Sequence, residues 1–319
     1  MAVVAFLLVL TIISPRESET TATTSSSSSA SSLDFEMAYR DSFGFFTHVH
    51  ERDWLVRKSN AKDRVHDSTP VVRSSRAERY KPATWNQLNW DPDFSCGMKD
   101  LVGGTEGSNS KWLCDPHRFQ QQPPQRDDCL VYNFGTNTRA GDTNNKVSFD
   151  FEKDLYRVAP NCEVHVFDPR GSAQDLNAQL RNVNPRASFH SLGIMGSHAV
   201  NETLSDTPTF RTSSPSTTQS LKTLPEIMQQ LGHTGRRLDV LALDCGGCEW
   251  RGGVHLDILQ QDVRQLNMEL HDYPACANQT MFDIHQAGYV ILHKQWEYPQ
   301  SGGNWVQYAF LKLAPSFFS

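Results

Sequence analysis

The sequence has no basic stripe and only a small excess of charge. Its 319 residues include 36 Asp and Glu against 30 Lys and Arg, which gives a formal net charge of -6. Phosphate binding normally requires clustered Lys and Arg, so this pattern argues against a nucleic-acid partner. Hydrophobic residues make up 38% of the chain, which is enough to bury one core. We therefore expect one main domain with appendages.

The sequence also lacks an apolar run long enough to cross a bilayer as a helix. Residues 2–13 are apolar apart from Thr11, and no Lys or Arg precedes them. A spanning helix needs about 20 apolar residues, whereas a signal peptide needs about 7 to 15. We expect residues 1–14 to be a signal peptide or a signal anchor. The remaining chain is then secreted or membrane-anchored, with its main domain lumenal or extracellular. The sequons at Asn201 and Asn278 are compatible with glycosylation there.

Composition divides the rest of the chain into three parts. Residues 20–32 are almost entirely Ser, Thr and Ala, which bury too little apolar surface to offset the loss of chain entropy. We therefore predict a disordered Ser/Thr-rich stalk and linker over residues 15–78. A cysteine-bearing N-terminal cap is predicted over residues 79–126, and the main domain over residues 127–319.

The chain has few cysteines, and their number is odd. With 7 cysteines, at least one is outside any intramolecular disulfide. Cys96 and Cys114 flank a glycine-rich loop and are the pair that we expect to be bridged. Cys245 and Cys248 form a C-x-x-C motif, for which a thiol oxidoreductase site, a zinc site and structural cysteines are alternatives. A zinc site needs two further ligands at matching spacing, and only the scattered Cys276, His233 and His271 are available, so we predict structural cysteines and no metal.

Three predicted strands end in residues that can carry chemistry. The buried run Leu238–Leu243 stops at Asp244 and paired glycines, and a strand that begins at Cys129 runs into Gly135. The strand Glu163–Phe167 ends at Asp168. Ligands of open α/β sheets bind beyond the carboxyl ends of the strands, so we expect these residues to face a bound molecule.

The order of elements is mostly strand, then helix. Alternating units of this kind predict a parallel sheet with helices on both faces, which is an α/β fold. The last two predicted strands, residues 289–295 and 305–313, are separated by a segment with one proline and two glycines. They are expected to form an antiparallel hairpin.

The strings CLVYNFGTN, FDP and DCGGCEW, in this order, resemble those of FkbM-type S-adenosylmethionine-dependent methyltransferases. The closer resemblance is to the animal methyltransferase-like protein 24 group, and it covers roughly Cys96 to Lys312. It implies a Rossmann-like fold with a mostly parallel seven-stranded sheet and an antiparallel C-terminal hairpin. It also implies S-adenosyl-L-methionine as cofactor and methyl transfer to a hydroxyl of a glycan or small molecule.

The same resemblance assigns the cofactor site. Gly135 would let the backbone pass close to the methionine part of the cofactor, because it has no Cβ. Asn133 and Asn137 would hydrogen-bond the amino-acid end. Asp168 would accept the ribose hydroxyls, as acidic residues do in dinucleotide-binding folds, although it is also suited to capping the turn before Pro169. Asp244 is expected to contact the cofactor as well.

The acceptor site is expected beside the fourth and fifth strands of the main sheet. Glu269 and His271 share one face at the end of a strand, and each is a candidate base for the acceptor proton. A strand-end histidine satisfied by backbone partners is the alternative for His271. Asp244 and Glu249 complete the predicted catalytic set.

The chain departs from the family pattern at three positions. Asn133 and Gly246 stand where the wider FkbM family has acids, and Ala242 stands where closer relatives usually have Lys. All three changes remove charge from the pocket. The departures at Asn133 and Gly246 are the basis of the alternative, a pseudoenzyme that keeps the fold and acts as an interaction module.

Overall fold

The computed structural model describes most of the chain from residue 82 onward. The described residues are 82–104, 109–120, 129–136, 147–200, 220–271, 274–297 and 301–313, together with Arg52 and Val56. The predicted signal segment and Ser/Thr-rich stalk, the sequon at Asn201 and the candidate cofactor residue Asn137 lie outside these ranges.

The described strands and helices alternate along most of the chain. The strands are β1 (Lys99–Val102), β2 (Lys111–Cys114), β3 (Leu130–Phe134), β4 (Glu163–Phe167), β5 (Ala187–His190), β6 (Gly193–Ile194), β7 (Leu221–Lys222), β8 (Leu238–Leu243), β9 (Val263–His271), β10 (Tyr289–Trp296) and β11 (Trp305–Lys312). The α-helices are α1 (Pro82–Leu88), α2 (Asp150–Val158), α3 (Ala173–Val183), α4 (Leu224–Gln230), α5 (Val254–Leu259) and α6 (Pro274–Gln286).

Seven of these strands form the main sheet, in the order β10-β11-β9-β8-β3-β4-β5. β9, β8, β3, β4 and β5 pair in parallel, whereas β11 pairs antiparallel with both β9 and β10. The predicted α/β fold, with a mostly parallel seven-stranded sheet and an antiparallel C-terminal hairpin, is confirmed.

Helices cover both faces of the sheet because alternate side chains of each strand point to opposite faces. Leu130, Tyr132 and Phe134 of β3 pack in one hydrophobic cluster with residues of α1, α4, α5 and α6. Val131 of the same strand packs in a second cluster with residues of α2, α3 and the β1–β2 hairpin. The two clusters are the two halves of the core.

The strand order reverses between β3 and β8. From β3 the chain proceeds to β4 and β5 on one side, whereas β8 and β9 lie on the other. The backbone N–H of Asp244 donates to the carbonyl oxygen of Phe134 at 2.8 Å, which joins the carboxyl ends of the two strands. Ligands of open α/β sheets bind at such a reversal. We therefore expect a ligand site at the carboxyl ends of β3, β4 and β8.

The segment predicted as a cap packs closely against the sheet. Trp85 of α1 is fully buried in the first core cluster, and Val102, Leu113 and Phe119 are fully buried in the second. These side chains extend the core of the main domain. The boundary near residue 79 remains a prediction.

The predicted disulfide between Cys96 and Cys114 is wrong. Both residues remain thiols, and their side chains are hydrogen-bonded to each other. The bonded pairs are Cys129–Cys162 and Cys245–Cys248. Cys129 and Cys162 precede the neighbouring parallel strands β3 and β4, and this pairing brings their Cα atoms to 4.3 Å.

The sequon at Asn278 lies within α6. Asn278 is 9% exposed, and its side-chain oxygen accepts a hydrogen bond from the Trp90 indole at 3.2 Å. This asparagine is a core residue in the folded chain, which argues against a glycan at this position. Separately, none of the helices in the described ranges is both long and apolar enough to span a membrane.

Candidate functional site

A buried ion pair marks the carboxyl end of β8. The Lys111 ammonium, from β2, donates to a carboxylate oxygen of Asp244 at 2.7 Å, and both side chains are at most 5% exposed. Burial alone would raise the pKa of Asp244, but the charge of Lys111 lowers this pKa below its usual range. Asp244 is therefore an anion whose partner comes from the N-terminal part of the fold. No local sequence pattern distinguishes this lysine from other lysines.

Glu269 lies beside Asp244 at the end of β9. Its side chain is 10% exposed. Burial and the neighbouring negative charge of Asp244 raise the pKa of Glu269 to about 8. The carboxyl group therefore carries a proton at neutral pH, and it becomes a stronger base than an ordinary carboxylate once it loses that proton.

His271 is held between two carboxyl groups. Its Nδ1 lies 2.6 Å from a carboxylate oxygen of Glu249, which also accepts the backbone N–H of His271, and its Nε2 lies 3.4 Å from Glu269. Burial alone would lower the pKa of His271, but Glu249 and Glu269 raise it well above the usual value. The ring is an imidazolium at neutral pH, which removes its capacity to accept a proton. This geometry favours Glu269 over His271 as the base.

Asn133 is paired with an acidic residue that sequence reasoning missed. Its side-chain amide donates to Glu152 of α2 at 2.6 Å, and both residues are fully buried. Burial raises the pKa of Glu152 to about 6, and the charge of Lys111 acts in the opposite direction. Glu152 therefore places a carboxyl group next to the position where the family pattern led us to expect one.

Several buried polar atoms near this site have no hydrogen-bond partner among the described residues. They are Asn133 Oδ1, Glu152 Oε2 and both amide atoms of Asn267. Asn133 and Asn267 align with Ala242 from either side in the sheet. Unsatisfied buried acceptors are rare, and they are suited to a ligand that brings donors such as an ammonium group.

Gly135 is required by the protein backbone itself. Its φ is +105°, and a Cβ at this position would lie 1.8 Å from the carbonyl oxygen of Asp244. The prediction assigned the glycine to a close approach of the cofactor. The structure adds a second reason for a glycine at this position, which is independent of any cofactor: no side chain fits between the ends of β3 and β8.

Asp168 lies at the end of β4, as predicted. Its carboxylate accepts the backbone N–H of Thr136 at 3.1 Å and the Arg170 guanidinium at 2.8 and 3.0 Å. Burial alone would raise the pKa of Asp168, but hydrogen bonds from Arg170 and Thr136 lower it. The Arg170 side chain is 59% exposed and has room to turn away, which would free the carboxylate for another donor.

The structure thus gathers most of the predicted site residues at one end of the sheet. Asp244, Glu249, Glu269 and His271 form one contiguous group of ionisable side chains, and Gly135 joins it to the Asp168 side. Aromatic residues also border this group: the Trp250 indole donates to the His271 carbonyl at 2.9 Å, and the Trp305 ring centroid lies 4.9 Å from that of His271.

Comparison with known families decides the class of the domain. A family model described as a methyltransferase domain matches residues 36–312. The chain belongs to this methyltransferase family. A comparison with curated proteins finds no match.

The following solved structures are distant matches to this chain. Fibrillarin from Methanococcus jannaschii matches at 9% identity and a TM-score of 0.33, over 68% of this chain and 88% of its own. Aeropyrum pernix fibrillarin, solved with bound S-adenosyl-L-methionine, matches at 7% identity and a TM-score of 0.35. This match covers 69% of this chain and 85% of the fibrillarin. An O-methyltransferase family 2 protein from Planctomyces limnophilus, solved with apigenin, matches at 11% identity and a TM-score of 0.30. This match covers 85% of this chain and 68% of the other. The fold assignment rests on the sheet described above.

Proposed function

We propose that this methyltransferase-family chain transfers a methyl group from S-adenosyl-L-methionine to a hydroxyl of a small molecule or glycan. The observation that carries the proposal is the buried group of ionisable side chains at the ends of β8 and β9, beside the reversal of strand order. In this group, the raised pKa of Glu269, about 8, suits it to act as a base. Oxygen methylation requires that the acceptor proton be removed as the methyl group arrives, and a base with a pKa near the working pH suits this step.

The residues present fit this cofactor. Asp168 would accept the ribose hydroxyls after Arg170 turns outward. The unpartnered oxygens of Asn133 and Glu152 would accept hydrogen bonds from the ammonium of the methionine part. When bound, S-adenosyl-L-methionine supplies an electrophilic methyl group on a positively charged sulfur.

The protein side of the reaction follows from the charges. Lys111 keeps Asp244 ionised, and this negative charge raises the proton affinity of Glu269. In its ionised form, Glu269 accepts the proton of the acceptor hydroxyl on a side-chain oxygen. The His271 imidazolium, fixed by Glu249, positions Glu269 and limits the build-up of negative charge in the site.

The pseudoenzyme alternative depended on the departures from the family pattern at Asn133 and Gly246. Glu152 and Lys111 bring a carboxyl group and an ammonium group into this region from other elements. Because charge is supplied from elsewhere in the fold, the enzyme is the better-supported proposal.

The test is methyl transfer from labelled cofactor to pooled glycans and cell metabolites. Glu269→Gln keeps the size of the side chain but removes the base, so we expect a loss of about 10²- to 10⁴-fold in rate with the affinity for S-adenosylhomocysteine nearly unchanged. The matched control is Glu226→Gln at the exposed capping position of α4, which should transfer like the wild type. Equal rates for wild type and Glu269→Gln would contradict the assignment of the base.

We also propose that the domain functions in the secretory pathway, secreted or anchored through residues 1–14. The length of the apolar N-terminal run and the two disulfides of the folded domain support this location. Peptide mass spectrometry of material secreted from cells, alkylated without reductant, should recover Cys129 linked to Cys162. Recovery of both as alkylated thiols would count against the proposed location.

A further inference from the structure

A second polar cluster lies at the other end of β4, away from Asp168. Glu163 is the first residue of that strand, His165 lies two residues further on the same face, and His233 follows α4. We call these three residues the histidine cluster. The methyl-transfer proposal leaves it unused.

The three side chains converge on a single point. A carboxylate oxygen of Glu163 lies 3.0 Å from Nε2 of His165 and 3.3 Å from Nε2 of His233. One possible ligand atom from each of the three residues lies within 4.8 Å of those of the other two. In a tetrahedral site with metal–ligand distances of about 2.0 to 2.2 Å, ligand atoms are about 3.4 Å apart. The observed spacing is therefore close to that of a metal site.

Each member of the cluster also has a hydrogen-bond partner outside the cluster. His165 Nδ1 lies 2.9 Å from His190, and His233 Nδ1 lies 2.7 Å from the hydroxyl of Tyr132. The Arg236 guanidinium donates to the other carboxylate oxygen of Glu163 at 2.8 Å. Metal-binding histidines almost always use their second ring nitrogen in this way, since it fixes the tautomer and the ring orientation.

We propose that Glu163, His165 and His233 bind one divalent transition-metal ion, with zinc the best-suited ion. Two imidazoles and one carboxylate form a ligand set that zinc accepts, with water in the fourth position. The imidazoles are 9% and 5% exposed, whereas Glu163 is 33% exposed, so the ion and its water reach the site from the Glu163 side.

An ion at this site would join β4 to the segment that follows α4. The sequence prediction of no metal considered only the C-x-x-C motif, whose cysteines are joined to each other. The ligands found here are 70 residues apart in sequence at most and meet only in the fold. The proposal does not depend on methyl transfer.

The experiment uses the full chain, treated with chelator and kept without reductant so that Cys245 and Cys248 stay bonded. Zinc is titrated by calorimetry and cobalt by visible absorption. We expect one ion per chain and a cobalt spectrum without thiolate charge-transfer bands. Glu163→Gln and His233→Gln should each weaken zinc binding by more than about 100-fold, and Tyr132→Phe by about 10-fold.

The matched control is His293→Gln, a histidine of β10 that stacks on Trp112 in another part of the fold. It should bind zinc like the wild type. Absence of saturable binding by the wild type would overturn the proposal, as would unchanged affinity in both ligand variants. Thiolate bands would overturn it too, because they would assign the ion to a site that includes Cys96, Cys114 or Cys276. If His233→Gln does not fold, the partly exposed Glu163→Gln variant decides the result.

Discussion

The Lys111 ammonium lies 2.7 Å from a carboxylate oxygen of Asp244, although the two residues are 133 positions apart and almost fully buried. This contact fixes the β1–β2 hairpin onto the end of β8. It also sets the charge of the candidate site, since the ionised Asp244 acts directly on Glu269. A residue from the N-terminal segment is thus an integral part of the site.

Removal of Lys111 should destabilise the fold strongly. Lys111→Met leaves Asp244 as a buried charge without its ammonium partner, and such changes lower the free energy of unfolding by about 3 to 5 kcal/mol. Urea denaturation measures the loss, and Asp244→Asn in the same chain should recover part of it. Arg157→Met breaks an ion pair of the same length on the surface of α2 and should have a far smaller effect. Similar losses in both single variants would contradict this account of the buried pair.

Methyl transfer should increase with pH through about 8. Burial and Asp244 raise the pKa of Glu269 to about 8, so below that pH the carboxyl group is protonated and cannot accept a proton. Above that pH it is ionised and active as a base. The rate at saturating cofactor, measured from pH 6 to 9, should show this ascending limb, and Glu269→Gln should remove it. A rate that falls over the same range would assign the proton transfer to a different group.

Two glycines in left-handed backbone should respond very differently to a methyl group. Gly246 has a φ of +60° and open space around an added Cβ, so Gly246→Ala should cost about 1 kcal/mol of backbone strain. Gly135 lacks that space, because its Cβ would collide with the Asp244 carbonyl oxygen. Gly135→Ala should therefore lose much more stability or fail to fold. Thermal denaturation measures the stability of both variants. Equally small losses of stability would contradict the predicted collision between a Cβ at Gly135 and the Asp244 carbonyl oxygen.

The strands of the fold were predictable because their patterns are local. The bounds predicted for Leu238–Leu243 and Glu163–Phe167 match those of β8 and β4, since in each segment apolar residues recur at alternate positions and an acid follows directly. The same property brought Asp168 and Asp244 to the correct end of the sheet. The fold class followed from the alternation of strands and helices.

The partners of these residues were not predictable from local patterns. Lys111 and Glu152 reach Asp244 and Asn133 only through the packing of β2 and α2 on the sheet. Their sequence surroundings resemble those of ordinary surface charges.

The disulfide prediction was wrong for a related reason. The antiparallel pairing of β1 and β2 brings Cys96 and Cys114 together, but it does not require a bond between them. The bonded pair Cys129–Cys162 is set by the parallel pairing of β3 and β4, which becomes visible only when the strand order is known.

The most direct test of the central claim is calorimetric titration of the purified chain with S-adenosylhomocysteine, in the wild type and in Asp168→Asn. We expect saturable binding by the wild type. Loss of a charged acceptor costs roughly 1.5 to 3 kcal/mol per hydrogen bond, so Asp168→Asn should bind about ten-fold or more weakly. Arg170→Ala, which frees the Asp168 carboxylate, should bind at least as tightly as the wild type. The control Asp175→Asn, on the exposed first turn of α3, should leave the affinity unchanged. No binding by a folded wild-type chain would contradict the proposed function, and equal affinity in Asp168→Asn would contradict the cofactor site at β4.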